Sequence, residues 1–208
     1  MGRGVWRRVH SRCPARAAAT VSKPVDADLI DRARLEFSDR FWMGDTTLSD
    51  CIESLSLPRE AFRWAAWGRS GLGWEQGSLC YAYPSGLKWR NPSPDGKPRF
   101  RWLTGTAASP WRADLIGRNT RKVILTEGES DALAIIAAGL ENDWQTVACA
   151  SPGTSFQARW AGLFAGKDVV VWFDDEPSRA GARAAERTAA VLHPVAASVR
   201  LTPNHYRP

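Results

Sequence analysis

The second half of the chain, from Arg121 onward, alternates short apolar runs with longer segments of helical composition. The runs are rich in β-branched residues and too short for helices, so they predict strands buried on both faces. Four runs of this kind occur: KVILT, QTVACA, DVVVWFD and ASVRLT. The segments that follow the first three are predicted to be helices: ESDALAIIAAGL, SFQARWAGLFAG and SRAGARAAERTAAVL. This alternation predicts an α/β domain in which helices flank a parallel sheet.

The first half of the chain has a different pattern, in which helices precede short aromatic strands. Helices are predicted in three places: near residues 27–37, 46–56 and 57–68. The glycines of GRSGLGWEQGSL then predict a loop. Three segments after it predict a small antiparallel sheet: LCYAYP, GLKWRNP and PRFRWLTG.

The change of pattern places a domain boundary at GRNT, residues 117–120. Residues 26–118 are therefore predicted to form a small α+β subdomain, and residues 119–208 an α/β domain. Residues 1–25 are predicted to be a disordered basic arm, because they contain six basic side chains and no acid. The remaining residues contain as many acidic as basic side chains, so the net charge of +6 comes from the arm. A nucleic-acid surface on the folded part would need local segregation of charge.

Several function classes are disfavoured by composition. No apolar run approaches the roughly 20 residues of a membrane-spanning helix, and residues 1–25 lack the apolar core of a secretory signal. The 4 cysteines are scattered without a C-x-x-C pair, so neither a structural zinc site nor a disulfide framework is expected. We therefore predict a cytoplasmic protein with reduced thiols and no membrane partner.

Two groups of acids follow predicted strands of the parallel sheet. Glu127, Glu129 and Asp131 come after the first strand, and the run Asp174–Glu176 comes after the third. Each group alone is compatible with helix capping, because acids in the first turn interact favourably with the helix dipole. If the two strands are neighbours, however, the groups face each other at the edge where ligands bind. Carboxylates held that close favour a cation between them, and their oxygens suit Mg²⁺.

Three motifs in this order resemble the Toprim domain of topoisomerases and primases. They are VILTEGESDALAI, ASPGTS and VVVWFDDEPSRAG, and the resemblance extends over roughly residues 85–200. Within the superfamily, the chain is most similar to the primase domain of phage and mobile-element replication proteins. The resemblance implies a Toprim-like parallel sheet flanked by helices and preceded by the smaller α+β subdomain.

The resemblance also implies a role for each matched residue. Glu127 corresponds to the family's glutamate, a general acid/base or metal ligand, supported by the turn at Gly128 and by Asp131. Asp174 corresponds to the first acid of the D-x-D motif, a Mg²⁺ ligand. Glu176 stands in place of that motif's second acid, and we include Asp175 among the candidate metal ligands. Mn²⁺ is an alternative ion.

Basic and aromatic residues alternate in the segment before the Toprim motifs. In strand conformation, Lys88 and Arg90 would lie opposite Trp89, and Arg99 and Arg101 opposite Phe100 and Trp102. One face would pack on the core and the other would present a basic ridge to template or nucleotide phosphates. The candidate phosphate-binding residues of this segment are Lys88, Arg90, Lys97, Arg99 and Arg101. The Toprim resemblance adds Gly153 and Thr154, which match the family's GT loop. An ordinary solvated face is the alternative. Most of the 11 tryptophans, Trp64 among them, are expected in the core.

The leading functional hypothesis is a Mg²⁺-dependent primase that makes short RNA primers on single-stranded DNA in a bacterial or phage-infected cell. Its partners would be the template, nucleoside triphosphates and a replicative helicase. A Toprim nuclease could use the same acids. A third hypothesis, a non-catalytic replication accessory that binds nucleic acid, follows from Glu176 in place of the second aspartate.

Overall fold

Two four-stranded sheets organise the chain. A computed structural model describes residues 27–65, 70–84, 86–90, 100–106, 108–149, 156–174 and 176–202. The predicted basic arm lies outside these ranges. Within them, no helix is long and apolar enough to cross a membrane.

Three helices precede the first sheet, as the sequence predicts. They are α1 (Ala27–Met43), α2 (Thr46–Glu53) and α3 (Arg59–Ala65). The buried residues of α1 recur every three or four positions, as expected for a helix with one face on the core: Ile30, Ala33, Phe37 and Phe41. Helix α2 begins after Asp45, whose side chain accepts a hydrogen bond of 2.9 Å from the Leu48 N–H.

The first sheet is antiparallel, in the order β1-β2-β3-β4. Its strands are β1 (Leu72–Glu75), β2 (Ser78–Tyr83), β3 (Gly86–Arg90) and β4 (Phe100–Trp102). The prediction of a loop across the glycines is wrong for β1. Gln76 and Gly77 both have positive φ, 52° and 69°, which matches the two-residue turn of a tight hairpin. Gly73 is needed for packing, because a Cβ there would lie 2.8 Å from the Cys80 Sγ.

The second sheet is parallel throughout, in the order β6-β5-β7-β8, and helices flank it as predicted. Its strands are β5 (Lys122–Thr126), β6 (Gln145–Ala148), β7 (Asp168–Trp172) and β8 (Ser198–Leu201). Helices α4 (Glu129–Ala137) and α5 (Ala180–Leu192) follow β5 and β7. Between β6 and β7 the predicted α-helix is instead a 3₁₀ helix, Ala158–Phe164, which ends before Gly166 in a left-handed conformation.

One hydrophobic core crosses from the antiparallel sheet to the parallel sheet. It contains Phe62 of α3, Tyr81 of β2, Leu133 of α4 and Ala148 of β6. Trp111 lies fully buried between them and pairs with Ala148 through two backbone hydrogen bonds of 2.7 and 3.2 Å. Its indole N–H donates to the Gly71 carbonyl at 3.2 Å. The two parts are therefore packed together, and the boundary near residue 118 stays a prediction.

We expect Trp111→Phe to destabilise the protein by about 1–3 kcal/mol, because it leaves a small cavity and removes the donor to the Gly71 carbonyl. Urea unfolding would measure the change. Trp64→Phe is the matched control, since Trp64 is 56% exposed. Equal unfolding free energies for the two variants would contradict the role assigned to Trp111.

Candidate active site

The carboxyl ends of β5 and β7 lie side by side. The strands are parallel neighbours in a register that pairs Leu125 with Val171 and Thr126 with Trp172. Glu127 follows β5 directly, and Asp174 lies two residues after β7. The two acidic groups would face each other only if their strands were neighbours, and this condition is met. Both acids lie at the edge where parallel sheets bind ligands.

Helix α5 begins against this edge through Gly181. A Cβ at Gly181 would lie 2.0 Å from the Asp174 carbonyl oxygen and 3.3 Å from the Glu127 Oε2. Only a glycine lets the helix approach the Asp174 backbone this closely, with the Glu127 carboxylate beside the contact. The sequence analysis assigned Gly181 no role, although the small residues Ala180 and Gly181 after an acidic turn are a signal of close approach.

The turn between β5 and α4 places a third carboxylate near the first two. Gly128 is the N-cap of α4, and its N–H donates to the Asp131 Oδ2 at 2.8 Å. Asp131 therefore does cap the helix, as the simpler interpretation of this acidic group predicts. Its carboxylate also interacts electrostatically with those of Asp174 and Glu127.

Electrostatics indicate that these three carboxylates share one region. Burial raises the pKa of the Asp131 carboxyl to about 6, and the charge of Asp174 adds to the increase. The Gly128 N–H opposes the increase, whereas Glu127 and Glu129 add further to it. Asp131, assigned only a supporting role from sequence, is thus a full member of the acidic cluster, defined here as Glu127, Asp131 and Asp174.

The donor chemistry of the acidic cluster fits a hard cation such as Mg²⁺, because a positive charge among neighbouring carboxylates offsets their repulsion. Across the described ranges, no three acidic, histidine or cysteine side chains are arranged to hold a metal as they stand. Asp175 lies outside those ranges. Glu176 is exposed, and its backbone carbonyl accepts a hydrogen bond of 2.8 Å from the Arg179 N–H in the turn before α5.

The parallel sheet and the acidic cluster lie in a part of the chain that matches a family model. The model described as Toprim-like matches residues 124–206. This range contains the acidic cluster and all four parallel strands, apart from the first two residues of β5. Residues 124–206 are therefore similar to a Toprim-like domain, and we call this part of the chain the Toprim-like domain for that similarity. No curated protein sequence is significantly similar to the chain.

Solved structures extend the likeness to both sheets. The Escherichia coli primase catalytic core has a TM-score of 0.57 and 15% identity, covering 88% of this chain and 72% of that one. The primase fragment of the bacteriophage T7 primase-helicase protein has a TM-score of 0.46 and 17% identity, covering 72% of this chain and 62% of that one. Only the Escherichia coli core has the higher TM-score of 0.57, so we base the comparison on it. At 15% identity, the comparison shows that the two proteins share a fold and nothing more.

Glu129 of the Toprim-like domain is held by the antiparallel sheet, a contact that the sequence analysis missed. Its carboxylate is almost fully buried and accepts two hydrogen bonds of 2.8 Å from the Lys88 Nζ. The Tyr83 hydroxyl donates to the same carboxylate. Burial and the Glu129 charge raise the pKa of the Tyr83 hydroxyl well above its usual value, so it remains a donor at neutral pH. No local pattern pairs residues 41 positions apart in the sequence.

The predicted basic ridge is corrected in two ways. Lys88 is fully buried in its ion pair with Glu129, and its Nζ lies 4.4 Å from the Phe100 ring centroid. Arg101 lies on the opposite face of the sheet, because it is paired with Trp89, whose ring it covers at 4.6 Å. The alternation within each strand was predicted correctly, but the register between strands could not be read from it.

Among the ridge candidates that the structure describes, only Arg90 is half-buried on the face that it shares with Lys88. Burial and the charge of Glu129 raise the pKa of the Tyr81 hydroxyl, and the nearby charge of Arg90 partly opposes this increase. The remaining candidates lie outside the described ranges: Lys97, Arg99, Gly153, Thr154 and Asp175. Their assignments stay predictions.

The raised pKa of Asp131 predicts a stability that depends on pH. Because the folded protein binds this proton more tightly than the unfolded chain does, its stability falls as the pH rises from about 4 to about 6. Asp131→Asn keeps an oxygen acceptor for the Gly128 N–H and removes the charge. We expect the variant to gain stability over the native protein through that range, with a constant advantage above about pH 6.

Urea unfolding at pH 4.5 and pH 8 in EDTA would measure this difference, with Asp143→Asn as the control at an exposed site before β6. An advantage that is the same at both pH values would contradict the assignment of the raised pKa to Asp131.

A double-mutant cycle tests the buried ion pair. Lys88→Met leaves the Glu129 carboxylate buried without its cation, so we expect a loss of about 3–5 kcal/mol in unfolding free energy. Adding Glu129→Gln should recover part of that loss, because the remaining amide is neutral. The exposed pair of Arg40 and Glu36 is the control and should show a much smaller coupling. A double variant less stable than Lys88→Met would refute the pairing.

Proposed function

We propose that the chain is a DNA primase domain that joins ribonucleotides into short primers on a single-stranded DNA template. The observation that carries the proposal is the acidic cluster at the carboxyl edge of a Toprim-like sheet, packed directly against an antiparallel sheet. The likeness in fold to the Escherichia coli primase catalytic core supports it, since that likeness covers 88% of this chain. From this support we infer the activity, the use of Mg²⁺ and the single-stranded template.

The residues proposed to hold Mg²⁺ are Glu127, Asp174 and Glu176, with Asp175 beside them. The 3′-hydroxyl of the primer would attack the α-phosphate of a nucleoside triphosphate, and pyrophosphate would leave. An ion held by these residues would lower the pKa of that hydroxyl and offset the negative charge on the phosphates. Asp131 would contribute charge without leaving its place at the N-terminus of α4, since the Gly128 N–H fixes its carboxylate.

The protein's own groups would perform the remaining steps. Glu127 is half-buried beside Gly181, where we assign it to accept the proton of the attacking 3′-hydroxyl. Arg90, at the end of β3 in the antiparallel sheet, would contact a phosphate of the template or nucleotide together with Lys97 and Arg99. The backbone N–H groups of Gly153 and Thr154 would meet a second phosphate. A replicative helicase is the protein partner that the primase resemblance implies.

Primer synthesis on single-stranded DNA with labelled ribonucleoside triphosphates tests the proposal. We expect Mg²⁺-dependent oligoribonucleotides from the native protein and a loss of at least about 100-fold in Glu127→Gln, because a general base contributes that much or more. Asp174→Asn should lose both product and Mg²⁺ binding measured by calorimetry. Asp143→Asn is the matched control, an exposed acid at the opposite edge of the sheet, and should retain activity.

Other outcomes assign other functions. Shortening of the template by the native protein, lost in Glu127→Gln, would refute the primase in favour of a Toprim nuclease. Template binding without any turnover, unchanged in both site variants, would refute an enzyme and favour a replication accessory. Full product from Glu127→Gln would remove Glu127 from the mechanism.

A further inference from the structure

A surface of two tryptophans and one arginine lies on the helices at the start of the chain. Trp42 at the end of α1 is 65% exposed, and Trp64 of α3 is 56% exposed. The Arg63 guanidinium lies 5.3 Å from the Trp42 ring centroid and 5.7 Å from that of Trp64. We call these three residues the tryptophan–arginine surface. The expectation that Trp64 belongs to the core is wrong, because α3 buries Ala61, Phe62 and Ala65 instead.

The two exposed rings leave a large apolar area in contact with solvent. Burying a tryptophan removes a large apolar area from water, yet two large rings here remain mostly in solvent. Each presents an aromatic face to which a planar group can stack. The arginine between them keeps the rings at a fixed separation, since cation–π contacts hold it to both.

Helix α3 has a net positive charge, which favours an anionic ligand, because Arg59 and Arg63 outnumber its one carboxylate, the exposed Glu60. Arg59, one turn before Arg63, donates to the Phe41 carbonyl and, at 3.0 Å, to the Ser49 hydroxyl. Both groups are neutral, so the charge of Arg59 is not balanced by them. Among the described residues, no carboxylate forms a salt bridge with Arg59 or Arg63. A buried protein–protein contact would need acids from the partner for both guanidiniums, whereas every nucleotide of a single strand supplies a base and a phosphate together.

We propose that the tryptophan–arginine surface binds single-stranded nucleic acid, with bases stacked on Trp42 and Trp64 and a phosphate near Arg63. This contact is independent of base sequence, because every base has an aromatic face. It is separate from the acidic cluster, which lies on the Toprim-like domain. Binding of a single strand here does not depend on the proposed primase activity. Only the identification of that strand as a primase template rests on the proposed function.

Fluorescence anisotropy of a labelled oligothymidylate, without Mg²⁺ or nucleotides, tests the surface. We expect Trp42→Ala and Trp64→Ala each to weaken binding by about fivefold or more, as stacking contacts do. Arg63→Gln should also lower the slope of log K against log salt concentration by about 0.7, the value for one phosphate contact with a single strand. Leu163→Ala, which removes a 39% exposed apolar side chain from the 3₁₀ helix, should change neither quantity.

The outcomes separate this proposal from its alternatives. Circular dichroism melting first confirms that each variant folds, and Arg63→Lys, which keeps the charge, should keep the salt slope. Native affinity in the double variant Trp42→Ala/Trp64→Ala would overturn the proposal. A change of oligomeric state in sedimentation, with oligothymidylate affinity intact, would overturn it in favour of a protein contact. A protein that binds oligothymidylate through this surface but makes no primer would support the surface and refute the proposed primase activity.

Discussion

The buried ion pair between Lys88 and Glu129 is the interaction on which the arrangement of the two sheets depends. A carboxylate and an ammonium group removed from water are tolerated only when they satisfy each other, and here both oxygens of Glu129 accept from Lys88 at 2.8 Å. Lys88 belongs to the antiparallel sheet, whereas Glu129 is the first residue of α4. The pair therefore fixes the start of α4 relative to the smaller sheet.

The acidic turn is built on that fixed point. Gly128, which precedes Glu129, caps α4 and binds the Asp131 carboxylate, and Glu127 precedes Gly128. The opposite side of the cluster is fixed by Gly181, against which the Asp174 backbone packs. The carboxylates are thus positioned from two directions, by a lysine in a distant strand and by a glycine in a following helix. Their mutual repulsion is a consequence of rigid placement, and it makes the region receptive to a cation.

Much of this fold follows from local patterns in the sequence. The runs of the parallel sheet are short and rich in β-branched residues, so their composition alone identifies them as strands. The adjacency of β5 and β7 comes from the structure. The hairpin of β1 was missed because Gly73 and Gly77 weaken strand propensity, although each has a packing or turn role. In the site, Glu127 and Asp174 were found because each lies within two residues of the end of a strand.

The remaining features depend on contacts between distant residues. The burial of Lys88 could not be predicted, because the sequence of its strand is equally compatible with a solvated basic face. The separation of Arg101 from Lys88 depends on which residues face each other across β3 and β4, which the alternation within a strand does not specify. The participation of Asp131 arises from the position of Asp174, more than 40 residues later, and from burial.

The core that Trp111 completes has a consequence for how such a chain can be recombined. An exchange of the Toprim-like domain between related proteins would separate Leu133 and Ala148 from the aromatic residues that cover them, and Glu129 from its lysine. The sequence boundary near residue 118 marks a change of pattern, and these buried contacts cross it. Successful chimaeras would have to carry the antiparallel sheet and the acidic turn as one inseparable module.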